Sequence, residues 1–433
     1  MQHVTDTVFG LAILIAAIAT LAACGQGTDG SDSQLVSENE LANLRALGYV
    51  GFSADDQMSG TLTYDAARSH PGYNLYSSRN LCMAELIDAG GTVINSWHGE
   101  ESGVWERSVL LSTGDLLVVG WHTDQKDPDA RYLLRLGWEN DVVWKRQIPV
   151  HHDISATPDG NFIAVTMNPR PIPDLHRDYL VRDDQLTLIS PEGEVLAERS
   201  LYDLFVARPD LYALERAWDP GVRWLLKRWA VRLGLADAPQ FIDYFHANAV
   251  EWIVKEGSNG DSPVFASGNV IVTIRNLDTV VVFDWDRAEL LWAWGPGEVF
   301  GPHDASVLPN GNVLVFDNGL GRNPGWSRVI ELEPLSGEIV WQYSAPTRTD
   351  FYSASRGSAQ RLPNGNTLIA QADSGRAFEV TPAGEIVWEY RNPHFDEEGR
   401  RATIIRMERY PLSLVDAILD PDENPGAAVP GKE

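Results

Sequence analysis

The chain is 433 residues long, 44% hydrophobic and 22% charged, which supplies enough apolar material for a large folded core and sets it apart from disordered chains. Its formal net charge of −27 excludes nucleic acid as an expected partner, because phosphate binding needs a basic face. A small anionic substrate stays compatible with this acidity wherever cationic side chains converge locally.

Residues 8–23, "VFGLAILIAAIATLAA", are apolar but short and alanine-rich, and the run stops at Cys24. That length suits a signal segment better than a permanent span. Leu21 to Cys24, "LAAC", resembles a bacterial lipobox, so a lipoprotein signal peptide is expected over 1–23, with Cys24 lipidated and anchored to a membrane. An uncleaved anchor is the alternative, since "MQHVTDT" lacks the usual Lys or Arg. Gly25 stands where many Gram-negative lipoproteins carry a retention aspartate, which points to the outer membrane of the cell envelope, facing the periplasm or the exterior. The run "GQGTDGSDSQLVSENE" cannot bury enough surface to order itself, so 24–58 reads as a flexible tether. Cys82 is the only other cysteine, and no internal disulfide is expected.

From about residue 59 to 412 a two-part unit recurs roughly every 50 residues. One part is a hairpin whose second strand ends in Trp: "LLRLGWENDVVW" (133–144), "VVVFDWDRAELLW" (280–292), "VIELEPLSGEIVW" (329–341) and "AFEVTPAGEIVW" (377–388). Weaker copies are "AELIDAGGTVINSW" (84–97) and "LTLISPEGEVLAE" (186–198), the latter without Trp. The other part is a hairpin around a Gly turn: "RSVLLSTGDLLVV" (107–119), "HDISATPDGNFIAV" (152–165), "HDASVLPNGNVLVF" (303–316) and "GSAQRLPNGNTLIA" (357–370). Pro-Asx-Gly-Asn supplies the fixed φ and the positive φ that such a turn needs. Residues 246–274 fit the same slot with a longer turn, and "ATIIRMERY" (402–410) is placed to close the last sheet. Two hairpins make a four-stranded sheet, and six such units predict an all-β fold, a six-bladed β-propeller. Seven blades is the alternative, because 60–77 could add strands. The repeated Trp residues are expected between blades.

Residues 205–243 break the repeat with a helical insertion. In "PGVRWLLKRWAVRLGL" (220–235), Val222, Leu225, Leu226, Trp229 and Leu233 share a face and Arg223, Lys227, Arg228 and Arg232 lie around the rest. A lid on the propeller rim and a membrane-surface helix are both open readings. Residues 413–433 read as an acidic C-terminal tail.

Aligning the second hairpins on their Gly-Asn turns puts His152 and His303 at one position, shared by Glu106 and Gly357 in other units, with His246 opening the corresponding segment between them. The innermost strand of a propeller blade runs along the central channel, so three consecutive blades would each aim a histidine at one pocket. One histidine alone is usually structural. Three in one register are hard to attribute to packing. His151, Asn248, Asp304 and Glu106 are the neighbours expected to contact a substrate.

The ordered set "HHDISATPDGN", "FHANAVEW…VIVTIRN", "GPHDASVLPNGNVLVFDNGLGR" and "FYSASRGSAQRLPNGNTLIA" resembles the bacterial arylsulfate sulfotransferase family over about residues 70–395. The resemblance implies a β-propeller enzyme of the cell envelope, using no nucleotide sulfate donor, no cofactor and no metal. Such an enzyme moves a sulfuryl group from an aryl sulfate to a phenol by way of a sulfated histidine. It further implies His303 as the sulfated residue, with His152, His246 and Arg275 around the transferring group. Chemically the set is coherent: a neutral imidazole is a competent nucleophile and later a good leaving group, and arginine offers a two-pronged donor to sulfuryl oxygens. Two other readings stay open from the residues alone: a metal-dependent propeller hydrolase or lactonase, and a non-catalytic ligand-binding propeller.

Overall fold

The computed structural model describes residues 52–53, 58–99, 103–122, 128–217, 241–254, 262–395 and 399–420. The signal segment, Cys24 and the amphipathic stretch 220–235 lie outside them. Among the described residues, no helix is long and apolar enough to cross a membrane.

Six antiparallel sheets follow one another around a ring. Blade 1 runs Gly103–Leu110, Leu116–His122, Arg131–Leu136, Val142–Arg146 from its inner to its outer strand. Blade 2 is Val150–Ala156, Phe162–Arg170, Val181–Ile189, Val195–Ser200, and blade 3 is Ala247–Trp252, Asn269–Ile274, Thr279–Asp284, Glu289–Trp294. Blade 4 is His303–Val307, Val313–Asp317, Arg328–Glu333, Glu338–Tyr343, and blade 5 is Ser358–Arg361, Thr367–Gln371, Arg376–Val380, Ile386–Arg391. Blade 6 takes its inner strand, Met407–Tyr410, from the end of the chain and its other three, Tyr73–Ser78, Met83–Ile87 and Val93–His98, from the beginning. Residues 60–77 therefore make no seventh blade: Gly60–Tyr64 adds a fifth strand to blade 5, and the remainder enters blade 6. The ring is closed twice, by chain ends that pair with strands more than 300 residues away.

The buried apolar side chains divide into six clusters, each drawn from two neighbouring blades. A single blade has two apolar faces and no partner of its own, so the blades stabilise one another only in the ring. The Trp residues act at these junctions through a repeated hydrogen bond. The indole Nε1 of Trp97 donates to Gly137 O (3.0 Å), Trp144 to Pro191 O (3.1 Å), Trp292 to Pro334 O (3.1 Å), Trp341 to Pro382 O (2.9 Å) and Trp388 to Ala89 O (2.8 Å), each acceptor lying in the outer turn of the next blade. The junction of blades 2 and 3 lacks this Trp, with Ala197 opposite Leu188 instead. There the short helix α1, Leu201–Val206, capped by Ser200 Oγ accepting Asp203 N–H, buries Leu201, Leu204 and Phe205. This is the described root of the insertion expected over 205–243.

The expected tail from 413 begins with structure. Helix α2, Leu412–Leu419, buries Val415 completely in the cluster shared by blades 6 and 1. Within the expected tether, Phe52–Ser53 pairs with Arg401–Ala402.

Candidate active site

The inner strands of blades 1 to 4 each carry a bulge near the channel mouth. A bulge re-aims the side chains around it. His152 (φ 63°), His246 (φ 52°), Asp304 (φ 51°) and Arg356 (φ 61°) take left-handed backbone without being glycine, a conformation that bulky residues hold only when the surroundings over-determine it. His152 and His303 are equivalent in the repeat but not in backbone. Val150 to Ile154 spans Thr166 to Ala164 of its partner, one residue more than His303 to Ser306 spans opposite Phe316 to Leu314. The left-handed residue is His152 itself in blade 2 and the one after His303 in blade 4.

A funnel of about 400 Å³, open solvent included, is lined by His152, His303, Asp304, Asn248, Glu106, Arg356 and Arg406 among others, whereas His246 and Arg275 are not among its lining residues. His303 is oriented from both ring nitrogens. Nδ1 lies 2.7 Å from Asn318 Oδ1 and 3.1 Å from Gly301 O, while Nε2 accepts the Arg356 N–H at 3.2 Å. Asn318 Nδ2 donates to Ser353 O (2.8 Å) and Arg356 O (2.6 Å), which leaves its Oδ1 to face the imidazole. Nδ1 therefore carries the proton and Nε2 the lone pair. Burial, then the charge of Arg275, pushes the His303 pKa down to about 3, so the ring is neutral at any ordinary pH.

His246 has a different environment. Its Nδ1 donates to Asp243 Oδ2 at 2.6 Å, and Asp243 is also 2.7 Å from Arg182. Against the burial that would raise it, Arg182 and His246 hold the Asp243 carboxyl well below the usual range. A fixed carboxylate on Nδ1 aligns the ring and leaves Nε2 as its working nitrogen. His152 packs edge-on against His246, with ring centroids 4.8 Å apart. Burial and the neighbouring His246 and His151 rings depress its pKa.

Of the expected substrate contacts, His151 is held within the scaffold, whereas Asp304 lines the funnel while also bracing it. His151 is fully enclosed: its Nδ1 is 2.7 Å from His152 Nδ1 and its Nε2 3.2 Å from Asp184, so it braces His152 and is closed off from the funnel. Asp304 is committed to Arg406 and accepts Ala359 N–H at 2.8 Å, linking the inner strands of blades 4 and 5. Glu106 reaches the funnel and similarly accepts His152 N–H at 3.0 Å. Asn248 also lines it; Nδ2 donates to Pro302 O (2.9 Å), and its buried Oδ1 has no hydrogen-bond partner among the described residues. Arg275 starts a short 3₁₀ turn, its N–H pinned to His246 O at 3.2 Å.

Sequence reasoning missed Asn318, Arg356, Asp243 and Arg406. Asn318 lay inside the quoted "VFDNG" and Arg356 beside the aligned Gly357, but neither position repeats between blades. Arg406 comes from the closing segment and spans Asp153 (3.1 Å) and Asp304 at the floor of the funnel. Among the described residues no group of three or more His, Cys, Asp or Glu side chains is arranged to hold a metal ion.

A family model described as arylsulfotransferase (ASST) matches residues 132–393, more than half of the chain. No curated protein matches. Among solved structures, a Bacteroides caccae protein of unknown function is 13% identical (TM-score 0.48, covering 78% of this chain and 98% of that one). A streptogramin B lyase is 10% identical (TM-score 0.43, 83% and 96%). A putative 6-phosphogluconolactonase from Bacteroides fragilis is also 10% identical (TM-score 0.41, 80% and 100%).

Proposed function

The chain belongs to the arylsulfotransferase family, and on that premise we propose that it transfers a sulfuryl group from an aryl sulfate to a phenol through a sulfated His303. The observation that carries this reading is the state of the His303 ring. It is neutral, held in one tautomer by Asn318, and presents the Nε2 lone pair at the funnel. A nucleophile needs this combination of rigid placement and an unprotonated nitrogen.

In the first half-reaction Nε2 exchanges its 3.2 Å bond from Arg356 N–H for a bond to sulfur, and the sulfur–aryl oxygen bond breaks. The departing phenolate takes a proton from Nε2 of His246, whose Nδ1 is held on Asp243. Arg275 and the released Arg356 N–H are donors for the sulfuryl oxygens, and His152 closes the side next to His246. In the second half-reaction His246 takes the proton of the incoming phenol, the phenol oxygen bonds to sulfur, and the N–S bond breaks to regenerate His303. The unpartnered Asn248 Oδ1 is an acceptor available to orient the phenol hydroxyl.

With an aryl sulfate and no acceptor, a burst of up to one phenol per active site is expected. The peptide carrying His303 should then hold one added sulfuryl group that a phenol removes. Turnover that persists in His303→Ala would refute the covalent step, and an adduct on His152 or His246 would refute the assignment. Lipidation at Cys24 and outer-membrane placement form part of the same proposal. Cys24→Ala should release the protein from membranes or leave an uncleaved precursor; unchanged fractionation and mature size would remove that element.

A further inference from the structure

Arg406 stands immediately before the inner strand of blade 6 and lines the funnel. Its Nη1 lies 3.1 Å from both carboxylate oxygens of Asp153, and its Nη2 pairs with Asp304 Oδ1. Each aspartate follows a funnel histidine in sequence: Asp153 comes after His152 and Asp304 after His303. They sit on the inner strands of blades 2 and 4, so one guanidinium joins three alternate blades of the ring. Each aspartate also reaches the next blade, Asp153 Oδ2 accepting Val250 N–H at 3.1 Å and Asp304 Oδ2 accepting Ala359 N–H at 2.8 Å. Arg107 completes the circuit from blade 1, with Nε 3.0 Å from Asp153 and Nη2 2.9 Å from Glu408 of blade 6. The network under the funnel thus touches the inner strand of every blade.

The two aspartates differ in how far they depend on Arg406. Asp153 has Arg107 as a second cation, whereas Arg406 is the one cation in contact with Asp304 among the described residues. Burial raises the Asp304 pKa and Arg406 opposes it. A buried carboxylate that loses such a partner must take up a proton or move. Movement here would reach the chemistry. His152, next to Asp153, has φ 63° and Asp304 itself has φ 51°, left-handed backbone that bulky residues keep only when their surroundings over-determine it. The aspartate contacts are such surroundings, and the backbone at each bulge sets where the neighbouring imidazole points.

We propose that Arg406 is a positioning residue, a strap across the funnel floor that sets the place of His303 relative to His152 through the aspartate beside each. Its part in catalysis rests on the sulfuryl-transfer reading, but its hold on the histidines can be read without turnover. In Arg406→Lys the charge stays, while a single ammonium replaces the fork that spans both carboxylates. Rapid quench separates placement from folding, because burst amplitude counts intact sites and burst rate reports how well each is aligned. The rate should fall about tenfold or more, with the amplitude per folded protein maintained. Asp304→Asn, which retains an acceptor for Ala359 N–H, should slow the burst similarly and carries the same test if the lysine variant does not fold. A lower melting temperature with an unchanged burst rate would reduce Arg406 to a scaffold contact and overturn the proposal. In ¹⁵N spectra the ring signals of both His152 and His303 should shift or broaden in Arg406→Lys, while His122, paired with Lys145 of the outer strand of blade 1, stays unmoved. Unchanged His152 and His303 signals would also overturn the strap. Absence of a burst in the wild type with any aryl sulfate, together with those shifts in the variant, would instead defeat the sulfuryl-transfer reading and leave the strap standing.

Discussion

Acidification separates this nucleophile from an ordinary histidine. An imidazole with the usual pKa of 6.5 would be about 3% neutral at pH 5, whereas one near 3 would be about 99% neutral, a difference of roughly thirtyfold in reactive form. The phenol burst, measured by rapid quench, should therefore show no thirtyfold fall between pH 8 and pH 5 of the kind that protonation of an ordinary histidine nucleophile would cause. ¹⁵N spectra, with the His303 signals identified through His303→Gln, should show a single Nδ1–H tautomer across that range. The same depression affects stability. The folded pKa lies below the unfolded one, so the unfolded chain takes up the proton first, and stability is lost as pH falls from 6.5 towards 3. At pH 5 this amounts to about 2 kcal/mol relative to pH 8, and His303→Gln should remove that part of the pH dependence. A His303 ring that titrates near 6.5, or a burst rate that follows such a titration, would refute the reasoning from burial and Arg275.

Asn318→Ala removes the shorter of the two acceptors on Nδ1, leaving Gly301 O, and takes a donor from Arg356 O and from Ser353 O, which keeps Ser327 Oγ. Adduct formation should slow by more than about tenfold as the ring loses its shortest anchor, with Gly301 O and the Arg356 N–H still holding the Nδ1–H tautomer, at a stability cost of about 2–5 kcal/mol; an unchanged rate would remove Asn318 from this role. Glu251 accepts Val307 N–H at 3.0 Å, and burial, working against that bond and Arg406, raises its pKa to about 7. A raised carboxyl is protonated in the fold, so its stability contribution is present below pH 4.5 and is lost as pH rises to 7. Glu251→Gln should thus gain up to about 3 kcal/mol over the parent at pH 8 and nothing at pH 4, as judged by chemical denaturation; an equal gain at both pH values would contradict it.

The blades were legible in the sequence because a hairpin is a local object. The Gly turn of Leu308–Asn312 and the strand alternation around it are set within a dozen residues, and the Trp spacing repeats them. His152, His246 and His303 were legible for the same reason: a periodic scaffold gives a residue at a fixed offset from a turn a predictable place on the ring. Counting units left six or seven blades open, since the role of 60–77 depends on partners more than 300 residues away, and only closure of the ring decided it. The tertiary structure likewise decided which neighbours work. His151 stands beside a funnel histidine in sequence but is drawn into the scaffold next to Asp184, while Asp304 lines the funnel with its carboxylate held by Arg406. Asp243 and Asn318 carry no periodic signal, yet each fixes an imidazole. Local pattern determines where a strand points its side chains; which polar groups then surround each one depends on contacts between strands whose separation along the chain follows no rule.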